Sequence, residues 1–328
     1  MPRRLPALNL TALLAFSAFA DLALCRVLNA AFLPTHPSTL DQRLLVNLGS
    51  FVSNLAGVLG LVLAASGIWR GLTADQIFPR SVRITVSTVG LFFCALAAMG
   101  VLWLGVGPRY QIHLRISHSF LVLFLLLGIW RGRRSLKAKL AITMFALPIV
   151  LEAAVVFCQR MSWSWSWSGP AAIVRIAHAL TWVAMGAAPA LLAPPVRRPR
   201  QLAWAVASAV TLSAAMGVAV ALRFDVVQTV AFYGLHVDLT GLASSAERLY
   251  TAALVVAFAG LGSAALSCLT VAGGHRLVGW GLLLLAASSQ DLSSPKTALF
   301  TLCGLLAMAL GSLPARSSAP LPDPRVPA

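Results

Sequence analysis

The stretch ITVSTVGLFFCALAAMGVLWLGVG, residues 84–107, contains no charged side chain. At about 1.5 Å per residue, a helix of this length crosses the roughly 30 Å hydrocarbon core of a bilayer. The rest of the chain is similar, because 59% of its 328 residues are hydrophobic and only 10% are charged. A soluble domain carries about 25% charged residues. The composition therefore excludes a water-soluble fold and predicts an integral membrane protein.

Nine further apolar stretches predict an all-α polytopic helical bundle of about ten transmembrane helices. The predicted spans are about 7–33, 44–69, 84–107, 112–130, 139–159, 171–193, 202–223, 249–272, 277–290 and 297–313. Residues 1–313 then form a single transmembrane domain. Residues 314–328 contain five prolines and predict a disordered cytoplasmic tail.

Two of these spans leave the helix count open. The first resembles a signal peptide, with Ala18-Phe19-Ala20 before Asp21, and its cleavage would leave nine helices. Because apolar sequence continues through Leu33, we prefer an uncleaved helix, in which Asp21 is paired structurally and Arg26 is the nearest cation. The hairpin at 278–313 is short, and a re-entrant hairpin there would leave eight helices.

Short clusters of basic residues separate the apolar stretches, as between Arg131 and Lys139. Most of the 25 Lys and Arg residues lie on one side if both termini are cytoplasmic, which is the orientation that the positive-inside rule favours. The pattern predicts a cell inner membrane protein. Its partner is the lipid bilayer, with other membrane proteins or further copies of the chain as candidates. Despite the net charge of +16, clusters at span ends argue against nucleic acid.

Three ionisable residues inside predicted spans are the candidate functional residues. His118, Glu152 and His178 each lie about seven residues from the outer end of consecutive helices, and therefore about 10 Å deep in the outer leaflet. Ionisable groups are costly in a membrane and mark functional sites by default. Pro148 lies one turn before Glu152, where it frees the carbonyl of Met144 and kinks the helix.

Three interpretations of this set remain open. The residues can form a protonatable substrate site, since histidine titrates near neutral pH, and the chain is then a proton-linked carrier or permease. His118 and His178 can be axial ligands of a haem, in a redox or haem-handling protein. Each can also be a satisfied structural group, in a non-catalytic membrane subunit or assembly partner. We rank transport first, because a broken helix beside a buried acid has a mechanistic meaning there.

An aromatic run, Trp163, Trp165 and Trp167, lies in the outer loop between the predicted fifth and sixth spans. It predicts an interfacial anchor or a surface that covers a ligand. Phosphate-binding loops, dinucleotide fingerprints and nucleophile elbows are absent from the sequence, which argues against an enzyme. No histidine pair has metal-ligand spacing, so we expect no metal site.

The sequence also contains a short internal repetition. The segment 67–71, Gly-Ile-Trp-Arg-Gly, recurs at 128–132, and Arg115-Ile116-Ser117-His118 resembles Arg175-Ile176-Ala177-His178. The offset of about 60 residues equals two spans with their loops. It indicates helical-hairpin repeats between residues 46 and 226, as found in transporters and in cofactor-carrying bundles.

Overall fold

The computed structural model describes residues 5–32, 40–74, 78–101, 108–132, 134–160, 274–288 and 295–313, with some single positions between 184 and 269. Within these ranges the chain is helical apart from short connections, which confirms the all-α prediction there. The helices are α1 (Leu5–Phe32), α2 (Leu40–Ala74), α3 (Arg80–Val101), α4 (Pro108–Arg131), α5 (Leu136–Arg160), α6 (Gly274–Ser288) and α7 (Pro295–Gly311).

Three of these helices are long and apolar enough to cross a membrane, over Asn47–Arg70, Arg80–Val101 and Ile112–Arg131. Shorter apolar segments occupy Leu8–Asp21 and Pro295–Gly311. The total of ten spans is not confirmed, since three described helices meet this requirement. The predicted spans 171–193, 202–223 and 249–272 lie almost entirely outside the described residues. The tail at 314–328 lies outside them as well.

The ends of α4 show why the helices begin and end where they do. The helix begins at Pro108, whose fixed φ suits a first helical turn and whose missing N–H has no helical acceptor there. It ends at Arg131, just before Gly132. The Nζ of Lys139 donates to the carbonyl of Trp130 at 3.0 Å, which satisfies one of the carbonyls left open by the end of the helix.

Helices α2 and α3 form an antiparallel hairpin with tight contacts. A Cβ on Gly57 would lie 2.5 Å from a methyl group of Val101. At the other end of the hairpin, a Cβ on Gly90 would lie 3.1 Å from a methyl group of Ile68. Small residues on each helix therefore let the two backbones approach closely.

Helix α4 packs antiparallel to α3, so the start of α3 and the end of α4 lie at the same end of the bundle. Phe78 contacts Phe124 with 6.0 Å between ring centroids, and Phe93 contacts His118 at 5.5 Å. We call the end of the bundle at Arg70, Arg80, Arg131, Arg134 and Arg276 the basic end, and the other the opposite end.

Helix α7 is the centre of the described bundle. Every residue from Thr297 to Ala309 is buried, and the helix contacts α1 through α6. It begins beside Gly100 of α3 at the opposite end. It ends at the basic end, where the Nε of Arg134 donates to the carbonyl of Ala309 at 3.2 Å. A helix that is apolar on all sides is stable in this position, because it exposes no polar face that requires water.

The α6–α7 hairpin packs through two glycines. A Cβ on Gly281 would lie 2.7 Å from the carbonyl oxygen of Gly304. The reverse distance, from a Cβ on Gly304 to the carbonyl oxygen of Gly281, would be 2.9 Å. The crossing is therefore closed to any larger residue unless a backbone moves.

Helix α1 is part of the core rather than a peripheral segment. Leu14, Ala15 and Ala18 are buried, and the helix packs on α2 and α6. The segment that resembles a signal peptide thus supplies packing surface to the bundle in this structure. Its loss would expose apolar surface of α2 and α6.

The repeated Gly-Ile-Trp-Arg-Gly segments occupy equivalent places. They lie at the ends of α2 and α4 at the basic end. In both, the isoleucine is buried while Trp69 and Trp130 are 65% and 45% exposed. The longer repeat over 46–226 includes residues outside the described ranges and stays a prediction.

Candidate functional site around His118

His118 is a buried imidazole in the middle of the α3–α4 hairpin. Its side chain is 6% exposed, and its ring lies nearly parallel to that of Phe93, with 20° between the planes. The neighbours Ser117 and Ser119 are buried as well. This stretch of α4 therefore places three polar side chains inside an otherwise apolar interior.

The Nε2 atom of His118 is buried and has no hydrogen-bond partner among the residues that the structure describes. The two serines differ from it in this respect. Ser117 donates to the carbonyl of Leu114 in its own helix at 3.0 Å, and Ser119 donates to Ile149 of α5 at 3.2 Å. Buried polar groups almost always have a partner, so an imidazole nitrogen without one calls for a proton, a ligand or a group from elsewhere in the chain.

The contacts between α4 and α5 determine the level of Glu152. The two helices are antiparallel, because the indole nitrogen of Trp130 donates to Thr143 at 2.9 Å near the basic end while Ser119 bonds to Ile149 farther along. From that bond, His118 lies one residue and Glu152 three residues toward the opposite end. At about 1.5 Å per residue their backbones differ in level by about 3 Å.

Pro148 is buried within α5, which continues through it to Arg160. Because proline has no N–H, the carbonyl of Met144 lacks its usual helical donor. Position 152 follows Pro148 by four residues and so lies on the same face of the helix. The side chain of Glu152 lies outside what the structure describes, and its approach to His118 stays a prediction.

The remaining predicted site residues lie outside the described ranges. These are His178 and the aromatic loop residues Trp163, Trp165 and Trp167. The structure thus shows which groups surround His118 and, through the α4–α5 contacts, the level of the Glu152 backbone. The meeting of the two histidines remains an expectation of the sequence.

Asp21 has a partner that its neighbours in sequence do not indicate. The Nζ of Lys296, at the start of α7, lies 4.0 Å from Oδ2 of Asp21, and the two side chains are 22% and 13% exposed. Arg26, the nearest cation in sequence, has no described side chain. A signal was present, because Asp21 lies inside a predicted span and Lys296 lies at the outer end of another, where a long cationic side chain can reach a buried acid.

Tyr110, in the first turn of α4, lies at the opposite end of the described bundle. It is 9% exposed, and its hydroxyl lies against Gly100 of α3. A Cβ on Gly100 would overlap that hydroxyl and the ring of Pro295. The start of α7, the end of α3 and the start of α4 therefore meet beside the Asp21–Lys296 pair.

A small cavity of about 30 Å³ lies at the basic end between α1, α2, α6 and α7. Thr11, Ser66, Arg70 and Cys303 line it together with apolar residues. A volume of this size holds about one or two water molecules. Because Arg70 marks the basic end and His118 lies some thirteen residues of α4 away from that end, the cavity is separate from the histidine.

Among the described residues, no group of three His, Cys, Asp or Glu side chains could hold a metal ion. Comparisons with protein-family models, with characterised proteins and with solved structures found no match.

Proposed function

We propose that this chain is an integral membrane carrier that moves a small molecule in a proton-linked cycle, with its protonatable site around His118. The observation that carries the proposal is the buried Nε2 of His118, which has no partner in the described structure. The backbone of His118 lies within about 3 Å in level of that of Glu152. A neutral imidazole has one ring nitrogen that can accept a proton. Nε2 is thus available to a substrate, a proton or the neighbouring acid.

The surroundings of His118 suit reversible protonation. Phe93 holds one face of the ring, so the imidazole keeps its orientation while its charge changes. Glu152 and His178 are the groups with which it would share a proton. A carboxylate at the same level would stabilise the imidazolium, which an apolar interior otherwise disfavours strongly.

Helix α5 supplies the element that can change shape. Pro148 interrupts its hydrogen-bond ladder one turn before Glu152, and Ser119 of α4 bonds to the carbonyl that follows. Interrupted helices next to ionisable residues serve as binding and gating elements in transporters. A small bend at Pro148 would change the distance between positions 118 and 152.

The test uses proton flux itself as the probe, because the substrate is unidentified. The protein is reconstituted into vesicles loaded with a pH-sensitive dye, and proton movement is measured under an imposed potential or with candidate solutes outside. We expect His118→Gln and Glu152→Gln to abolish protein-dependent flux. His113→Gln is the matched control, since His113 lies on the same helix and is exposed.

Flux that persists at the wild-type level in both variants would rule out this site. Loss of flux in His113→Gln as well would show that any change in α4 is disruptive. In that case the result would count against His118 as the specific group. If the wild-type protein itself gives no protein-dependent flux, the carrier proposal is overturned and the interpretation as a non-catalytic subunit is favoured.

A second candidate function rests on the same nitrogen atom. An unpartnered imidazole nitrogen is also what a haem iron requires of an axial ligand, with His178 as the second. The absorption spectrum of the purified protein distinguishes the two functions. A Soret band that disappears in His118→Ala and in His178→Ala would establish haem and displace the carrier proposal.

We further propose a cell inner membrane location with both termini on the cytoplasmic side. The support is the collection of arginines at one end of the bundle, where α1 begins and α7 ends. The positive-inside rule assigns that end to the cytoplasm. Labelling of single cysteines placed near residue 5 and near residue 313 in intact cells tests it, and labelling from outside would reverse the orientation.

A further inference from the structure

The charged residues of the α3–α5 region are almost all positive. Between Asp75 and Glu152 the sequence has nine Arg and Lys residues and no acid. Six described residues of this set lie at the basic end: Arg80, Arg83, Arg131, Arg134, Lys137 and Lys139. Cationic side chains this close together repel one another unless anions neutralise them.

Two of these six cations already bind backbone carbonyls. Arg134 donates to the last turn of α7, and Lys139 donates to the last turn of α4. Positive side chains are favourable there, because the carbonyl end of a helix carries partial negative charge. These two residues therefore have a structural role.

Arg80 and Arg83 occupy the less favourable end of a helix. They lie in the first turn of α3, where the helix dipole is positive and where no acidic residue is present. The Nε atom of Arg83 is buried without a hydrogen-bond partner among the described residues. An anion bound beside these two guanidinium groups would offset their unfavourable interaction with the positive end of the helix.

Arg131 joins this pair from the neighbouring helix. Phe78, just before α3, lies against Gly128 of α4, and the guanidinium carbon of Arg131 lies 5.9 Å from its ring centroid. Within the described part of the chain, none of the three arginines forms an ion pair. The contact with Phe78 thus brings a third cation to the start of α3.

The position of this cluster indicates the source of the anion. The three helices long and apolar enough to cross a membrane all have one end here. Trp69 and Trp130 are exposed at the same end, as is typical of the headgroup level of a bilayer. The phosphates nearest to the cluster would then be those of lipids.

We propose that Arg80, Arg83 and Arg131 form a binding site for the phosphate group of an anionic phospholipid. Guanidinium groups bind phosphate through paired, charge-assisted hydrogen bonds, and the free N–H groups of the first turn of α3 add donors. The proposal rests on the membrane location of the three apolar helices and is independent of transport at His118.

The test counts lipids retained by the full-length protein. The protein in a neutral detergent is titrated with phosphatidylglycerol or phosphatidylcholine, and bound lipid is measured by native mass spectrometry. We expect phosphatidylglycerol to bind at least about tenfold more tightly than phosphatidylcholine, because each basic residue near an anionic headgroup contributes appreciably. Arg83→Gln and Arg131→Gln should each weaken phosphatidylglycerol binding about fivefold.

Arg276→Gln is the matched control, since this exposed arginine lies at the same end on α6. An equal loss of lipid in Arg276→Gln would overturn the site in favour of general surface charge. Arg83→Lys and Arg131→Lys keep the charge and should retain most binding, which separates loss of the site from loss of folding. Inorganic phosphate that competes as strongly as the lipid binds would overturn the assignment to lipid.

Discussion

Asp21 and His118 are both polar residues within apolar helices, and the bundle accommodates them differently. Asp21 has a cation 4.0 Å away, supplied by the first turn of α7. His118 has an aromatic ring along one face and, in the described structure, nothing bound to Nε2. The charge of Asp21 is thus balanced by a residue of the chain itself. In His118, by contrast, one ring nitrogen has no hydrogen-bond partner among the described residues.

The difference separates a structural charge from a candidate functional one. In a partly buried ion pair each member offsets the cost of placing the other in apolar surroundings, which gives the pair a role in stability. An unpartnered imidazole has no such justification in stability, since an apolar residue of similar size would fill the space without an unsatisfied nitrogen. We therefore expect substitutions in the ion pair to lower stability. Substitutions at His118 should instead lower activity and leave stability unchanged or higher.

The largest effect is expected from breaking the ion pair. In Lys296→Met, Asp21 loses this cation, and we expect the free energy of unfolding to fall by about 1.5 kcal/mol, because the pair is only partly buried. The double variant Asp21→Leu with Lys296→Met removes both charges and should recover most of that loss. Unfolding in mixed detergent micelles measures all three. A double variant as unstable as the single one would show that the pair is not the source of the effect.

A smaller effect of opposite sign is expected at His118. The variant His118→Leu replaces an unsatisfied polar group with an apolar one, and we expect stability to stay unchanged or rise by about 1 kcal/mol. Proton flux should be lost in the same variant. Thermal unfolding in detergent is compared with flux in vesicles. A fall in stability of more than about 2 kcal/mol would mean that His118 has a structural partner.

The smallest effect concerns the contact that sets the level of Glu152. Ser119→Ala removes the hydrogen bond to Ile149, and we expect a loss of about 0.6 kcal/mol, the average for such bonds between membrane helices. Ser117→Ala is the control, because Ser117 bonds only within its own helix. Proton flux should slow in Ser119→Ala and stay normal in Ser117→Ala. If proton flux is the same in the two variants, the α4–α5 contact is not needed for function.

Much of the helix placement could be predicted from sequence. The predicted span 112–130 corresponds to Pro108–Arg131, and 139–159 corresponds to Leu136–Arg160. These boundaries are local properties, since an apolar run ends where arginine, tryptophan or glycine meets the interface. The predicted span 84–107 corresponds to α3 as far as Val101, and residues 102–107 lie outside the described ranges.

Side-chain partners could not be predicted in the same way. Asp21 and Lys296 are far apart in sequence, and Phe93 and His118 lie on different helices, 25 residues apart. Such contacts depend on how the helices pack, and several packings satisfy the same apolar pattern. The sequence likewise predicted that α7 is apolar without indicating that it lies at the centre rather than against lipid.

The central position of α7 has a consequence for biogenesis. Its neighbours α2 to α5 are synthesised more than a hundred residues earlier, and at about 5–20 residues per second they wait for several to tens of seconds. During that interval the surfaces that later enclose α7 lack this partner. Assembly of the bundle is therefore completed only when α7 enters between helices that are already in place.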